Sequence, residues 1–165
     1  MKKRKRSIWL AFVFFAAIIY LFHVKGLRFY LVPSDSMAPT LMKSDYIAGF
    51  RANRSDLRRG DIVVFTSGYK GDYYVKRVIG LPGETLAIIN GYVYTNGKML
   101  EEPYVMQRGQ ENLGPIRIPK DRVFIMGDNR TNSFDSRWLG PVATSLIATR
   151  VRFIYNPISR MGPVR

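Results

Sequence analysis

The 165-residue chain contains no cysteine and one histidine, His23. The missing cysteine excludes disulfide scaffolds, thiol nucleophiles and thiolate-held metals. The near-absence of histidine rules out a multi-histidine metal site. A Ser-His-Asp triad would have to recruit His23, which follows an apolar run at an expected lipid–water boundary. Acidic residues are also scarce: 12 Asp and Glu stand against 26 Lys and Arg, a formal charge of +14. Such a balance suits nucleic acid or an anionic membrane surface. Its distribution favours the membrane, because Lys2, Lys3, Arg4, Lys5 and Arg6 directly precede the apolar run.

That run, Ser7 to Phe22, carries no charge and is apolar on every helical face. Sixteen helical residues reach roughly 24 Å, slightly short of a hydrocarbon core of about 30 Å. His23 and Val24 extend it, and Lys25 can snorkel to the interface. A cleavable leader would need a small-x-small site soon afterwards, and the chain instead continues His-Val-Lys-Gly-Leu-Arg-Phe-Tyr. The expectation is a cytoplasmic tail (1–6), a transmembrane anchor (7–25) and an extracytoplasmic domain (26–165).

From Arg28 onward the pattern predicts a mainly β fold, one compact all-β domain behind a single helix. Phe29–Val32, Tyr46–Phe50, Asp61–Thr66, Tyr73–Ile79, Arg122–Met126 and Thr149–Tyr155 are short runs rich in β-branched and aromatic residues. Asn90-Gly91 and Asn96-Gly97 favour two-residue hairpin turns and predict a meander over Thr85–Leu100. The proline-containing stretch Glu101–Lys120 reads as loop. Short helices are expected around Ala38–Met42 and Val142–Ile147.

Three segments carry reactive groups. In Val32-Pro33-Ser34-Asp35-Ser36-Met37 two serines follow a strand, where a hydroxyl and free N–H groups can serve a nucleophile and its oxyanion. An ordinary turn whose serines bond their own backbone fits the same residues. In Tyr73–Gly80, Lys76 shares a strand face with Tyr74 and Val78, a setting that desolvates the amine and favours its neutral, basic form. The alternative is a solvated lysine guarding a sheet edge. Gly127–Arg137 is dense in polar groups. It reads as a solvated loop or a calcium loop, although it lacks the EF-hand spacing and includes Arg130 and Arg137.

Taken in order, PSDSMAPTL, RRGDIVVF, YYVKRVIGLPGE, INGYVYTNGKMLEEPYV and FIMGDNRTNSFDSRWLGPV resemble the type I signal peptidases. The likeness spans the anchor and roughly Phe29 to Pro141. It implies Ser36 as nucleophile and Lys76 as general base. It further implies Ser34 as an oxyanion donor beside the Ser36 N–H, and Ser133 as the group orienting the lysine amine. Asp128 with Arg77, and Asp135 with Arg137, would support the site. Alternation along the strand agrees in sending Arg77 away from Lys76. One departure is Asp35, where the family usually has glycine; its carboxylate is expected to face solvent.

The implied reaction is hydrolysis of one peptide bond in a preprotein, through an acyl-enzyme, with no metal and no organic cofactor. An extended substrate would lie against the edges near Tyr30–Val32 and Tyr73–Val75, with Tyr30, Val32, Met37, Tyr74 and Val75 as contacts. The expected partners are signal peptides of preproteins and membrane lipid. The expected location is a bacterial cytoplasmic membrane, with the N-terminus inside. Three rivals remain. A non-catalytic single-pass β-domain leaves the Ser36–Lys76–Ser133 set unexplained. A nucleic-acid binder is suggested by the +9 that remains of +14 without the five N-terminal charges, but no recognisable binding motif supports it. A peptidase specialised for a conjugation or secretion system has the same signature.

Overall fold

A computed structural model describes residues 2–20, 22, 26–66 and 72–164. Helix α1 covers Lys2–Ile19. The strands are β1 (Leu27–Leu31), β2 (Tyr46–Arg51), β3 (Ile62–Thr66), β4 (Tyr73–Gly80), β5 (Thr85–Ile89), β6 (Tyr92–Thr95), β7 (Lys98–Met99), β8 (Leu113–Arg117), β9 (Arg122–Met126), β10 (Val142–Ala143), β11 (Ile147–Asn156) and β12 (Gly162–Pro163). A four-residue helix, α2, spans Ser136–Leu139. The fold is mainly β, as the short runs rich in β-branched and aromatic residues predict.

Along α1 the large apolar side chains, from Trp9 and Leu10 to Phe15 and Ile19, are exposed. The first turns hold the basic cluster, so the apolar part is short. Among the described residues no helix is long and apolar enough to cross a membrane. The expected anchor extends over His23, Val24 and Lys25, which lie outside the described residues.

The larger sheet runs β1-β2-β11-β3-β4-β9-β10, with β12 added to β11. It coils enough to bring the ring of Tyr30 on β1 to 5.5 Å from that of Tyr73 on β4. One side of the coil buries Val32, Met37, Leu41, Ile47, Val64 and Val75. The other packs Val63, Phe65, Val78, Val123 and Ile125. The smaller sheet, β7-β6-β5-β8, joins the larger through a shared cluster that includes Ile79, Phe124, Met126, Leu86, Ile88 and Val93. Its two hairpin turns have positive φ at Asn90, Gly91, Asn96 and Gly97, the type I′ pattern expected of Asn-Gly.

Three local expectations are corrected. Ala38–Met42 forms turns rather than a helix, stabilised by hydrogen bonds from Ala38 N to Asp35 O and from Leu41 N to Met37 O. Val142–Ala143 pairs with β9, and only Thr144–Leu146 winds into a 3₁₀ turn. Within the expected 101–120 loop, Leu113–Arg117 is a strand paired with β5.

Candidate active site

The site forms where the turn after β1 meets β4 and the loop after β9. Lys76 is the fourth residue of β4, paired with Val63 of β3. Its side chain is buried (3% exposed), and Nζ lies 2.6 Å from Ser36 Oγ and 3.1 Å from the Val75 carbonyl. Ser36 is itself 9% exposed. Burial is the dominant influence on Lys76 and pulls its pKa from the usual 10.5 to about 8. Asp135 opposes that shift, Arg137 reinforces it, and Asp128 opposes it weakly. A lysine so adjusted is about one-tenth neutral at pH 7, against fewer than about one in a thousand for a free lysine.

Ser34 is exposed and its hydroxyl donates to Ser36 Oγ at 3.3 Å. Among the described residues the Ser36 N–H makes no hydrogen bond, so it remains available to an incoming oxygen. Asp35 keeps to the surface: its carboxylate accepts the Lys43 N–H at 2.9 Å in an exposed hydrogen bond that fastens the 35–43 turn.

Behind the dyad, Arg77 grips Asp128 with two parallel hydrogen bonds, Nε to Oδ1 at 2.8 Å and Nη2 to Oδ2 at 2.7 Å. Both side chains are buried, and Thr40 Oγ1 donates to Asp128 Oδ2 at 2.6 Å. This pair therefore ties the serine turn to the loop after β9. Asp135 caps α2 and accepts the Gly127 N–H at 2.9 Å. Its carboxylate is bracketed by Arg137 Nε and Nη2, each at 2.9 Å. Burial raises the Asp135 pKa, but the Arg137 hydrogen bonds and charge outweigh it and hold the carboxyl below its usual range.

Gly127 is required by proximity. A Cβ there would fall 2.3 Å from both the Ser36 carbonyl oxygen and Ser133 Oγ. The two loops thus touch backbone to backbone, and Asn129 N donates to Ser36 O at 3.2 Å. Ser133 is close to this junction but does not engage the amine. Its Oγ is buried and, contrary to the expected orienting contact, makes no hydrogen bond to Lys76; it meets no well-aligned partner, but its hydroxyl is near enough to Asp135 to help hold that carboxyl down.

The expected substrate contacts divide. Tyr30 packs partly buried against Tyr73 and hydrogen-bonds Thr149 Oγ1 at 2.8 Å. Tyr74 stacks on Phe65 and is partly buried. Val32, Met37 and Val75 are 2%, 1% and 5% exposed and belong to the core cluster, so their side chains line no open surface. What stays open is backbone. β1 ends the larger sheet, and the β9 ladder on β4 begins only at Arg77, which leaves the Tyr73–Val75 edge unpaired on that side.

Sequence reasoning missed a second buried charge cluster. Glu102, with its side chain fully buried, accepts Arg130 Nη2 at 2.6 Å and Nη1 at 3.1 Å. Arg108 Nη1 and Tyr104 Oη also donate to it, at 3.0 and 3.1 Å. Arg130 Nε in turn holds the Gly127 carbonyl at 2.9 Å, and the Tyr104 ring lies 4.0 Å from the Arg77 guanidinium. The sequence signal was a glutamate and a tyrosine inside a stretch read as loop, with Arg130 standing 28 residues beyond Glu102.

Comparison with known proteins agrees with this geometry. The model of the family described as signal peptidase, peptidase S26, matches residues 5–156. Signal peptidase I P of Bacillus subtilis subsp. natto is 39% identical over 177 aligned positions, covering 97% of this chain and 95% of that protein. Signal peptidase I of Bacillus licheniformis is 33% identical, covering 97% and 94%. The crystal structure of a signal peptidase I from Enterococcus faecalis V583 superposes with a TM-score of 0.52 at 29% identity, covering 58% of this chain and 96% of that one. With its paired serine and lysine and this breadth of similarity, the chain belongs to the signal peptidase, peptidase S26, family.

Proposed function

We propose that the chain is a membrane-anchored serine endopeptidase that removes N-terminal signal peptides from exported preproteins. The observation that carries this reading is the buried 2.6 Å approach of Lys76 Nζ to Ser36 Oγ. In the reactive form the amine is neutral and accepts the Ser36 proton as Oγ attacks the scissile carbonyl. The developing oxyanion is received by the Ser36 N–H and the Ser34 hydroxyl. The protonated Lys76 gives its proton to the leaving amine. A water then attacks the acyl-enzyme as Lys76 takes its proton, and Lys76 returns that proton to Ser36 Oγ as the serine leaves. Asp128–Arg77 and Asp135–Arg137 hold the loops that carry these groups.

The substrate lies extended between the free edges of β1 and β4, with main-chain hydrogen bonds to Tyr73–Val75. Tyr30 and Tyr74 contact its side chains. By resemblance to the family it carries small residues at the first and third positions before the cut. The division into tail (1–6), anchor (7–25) and catalytic domain (26–165) follows from the basic cluster and the apolar run. It places the N-terminus in the cytoplasm and the catalytic domain outside a bacterial cytoplasmic membrane. The partners are signal peptides and membrane lipid, with no role for nucleic acid.

The test is incubation of detergent-solubilised protein with a preprotein, followed by sequencing of the product's new N-terminus. A single cut at the end of the signal peptide, absent in Ser36→Ala, is expected. Cleavage that persists in Ser36→Ala would overturn the proposal.

A further inference from the structure

The end of the larger sheet nearest α1 contains a feature the peptidase reaction does not use. Here β1 begins, β2 and β3 end and β11 begins, and the strand ends line an open hollow of about 720 Å³. Arg28, Arg51 and Arg54 line it together with Asn53 and Ser55, and among the described residues no aspartate or glutamate does. Arg54 donates to the Ser145 carbonyl at 2.9 Å, which fixes one guanidinium at the rim. Among the described residues the Arg28 and Arg51 side chains have no acidic partner, whereas Arg58, Arg59, Arg77, Arg108, Arg130, Arg137, Arg150 and Arg160 all do. Three arginines thus share one hollow with no carboxylate among its described lining residues.

The position matters as much as the charge. Arg51 N donates to the Gly26 carbonyl at 3.0 Å, and a Cβ on Gly26 would fall 2.9 Å from Arg51 Cβ. The pocket is thus pinned to the point where the chain enters β1 after the apolar helix. On the opposite face of β1, Phe29 is exposed, and its ring lies 6.1 Å from Phe22 and 5.4 Å from Tyr155. An aromatic surface and a basic hollow stand on two sides of one strand, an arrangement matched to an interface with acyl chains on one side and headgroups on the other. Planar guanidinium forks suit phosphate oxygens, and a concave low-dielectric wall strengthens their field.

We propose that the Arg28–Arg51–Arg54 hollow binds the phosphate headgroup of an anionic phospholipid and thereby sets the tilt of the sheets against the membrane. The inference rests on the anchored reading of α1, not on the chemistry of Ser36 and Lys76. Its occupant is a lipid phosphodiester rather than a free ion, because the hollow opens where the anchor enters the sheet.

The test is native mass spectrometry of the full chain in mild detergent, with phosphatidylglycerol and phosphatidylcholine in competition. The parent should retain phosphatidylglycerol preferentially. Arg28→Gln/Arg51→Gln should lower that preference at least about tenfold, since two charge-assisted contacts are lost. A charge-matched variant on the smaller sheet, Lys98→Gln/Arg117→Gln, should keep it. Both double variants should still cut a soluble peptide, which shows that they are folded. Undiminished preference in Arg28→Gln/Arg51→Gln, or equal loss in the two variants, would overturn the proposal. So would displacement of phosphatidylglycerol by equimolar inorganic phosphate, which would mark the hollow as an ion site. A parent that selects phosphatidylglycerol but cuts no preprotein would instead sink the peptidase reading and leave the lipid site standing.

Discussion

At the scale of single residues, Lys76 carries the greatest tension. Its folded pKa, about 8, is below the ordinary 10.5, so the folded state resists the charged amine. Between these values the unfolded chain binds more protons, and stability rises with pH through that window. Below about pH 8 the penalty is fully present and amounts to roughly 3 kcal/mol. Lys76→Met should therefore abolish cleavage and yet raise the urea midpoint at pH 7, with the gain shrinking as pH rises from about 8 to 10.5. A variant less stable than the parent at pH 7 would mean that the amine is not held against its charge. Ser133 is a different case: its buried hydroxyl meets no well-aligned partner, and its influence on Asp135 is to hold that carboxyl down. Ser133→Ala should reduce turnover less than Ser36→Ala does and change stability by no more than about 1 kcal/mol. A loss of several kcal/mol would show a stronger hydroxyl–carboxylate bond. Asp35→Gly removes the Lys43 N–H contact and should leave kcat within a few-fold, with a modest loss of stability. A large gain in activity would instead implicate its charge in restraining the base.

At the scale of elements, the serine turn and the loop after β9 behave as one unit, joined at Gly127 and fastened by two buried charge clusters. Gly127→Ala places a Cβ against Ser36 O and Ser133 Oγ and should cost about 1–3 kcal/mol as well as activity. Glu102→Gln strands the buried Arg130 charge. Breaking such a pair costs about 3–5 kcal/mol, and the freed Gly127 carbonyl should slacken the site. Chemical denaturation of both variants, with unchanged midpoints as the contradicting result, checks this coupling. The two kinds of element also explain what the sequence could reveal. β4 and β9 are legible because apolar residues dominate between turn formers, and the Asn-Gly turns announce β5–β7. β8 was hidden by Gly114-Pro115 inside a polar stretch, and its pairing with β5 is decided by tertiary contact rather than by local preference. Ala38–Met42 has helical composition, but Pro39 sits within it and the Arg77–Asp128–Thr40 contacts hold it as turns. The dyad was readable from ordered motifs. The Glu102–Arg130 pair was not, because no periodicity links residues 28 apart in a chain.

At the scale of the whole molecule, the anchor reading predicts that protease added to intact spheroplasts degrades residues 29–165, and full protection of that region would refute it. Catalysis, too, is a property of the entire fold. Lys76 is kept partly neutral, and so available as a base, by its burial where β4 meets the serine turn and the loop after β9. The most direct test is kcat/KM of the full chain in lipid against pH, for the parent and for His23→Ala. The account predicts an activity that climbs with pH through about 8, as Lys76 loses its proton, and an identical climb in His23→Ala. An ascending limb that disappears in His23→Ala would contradict the pairing of Ser36 with Lys76.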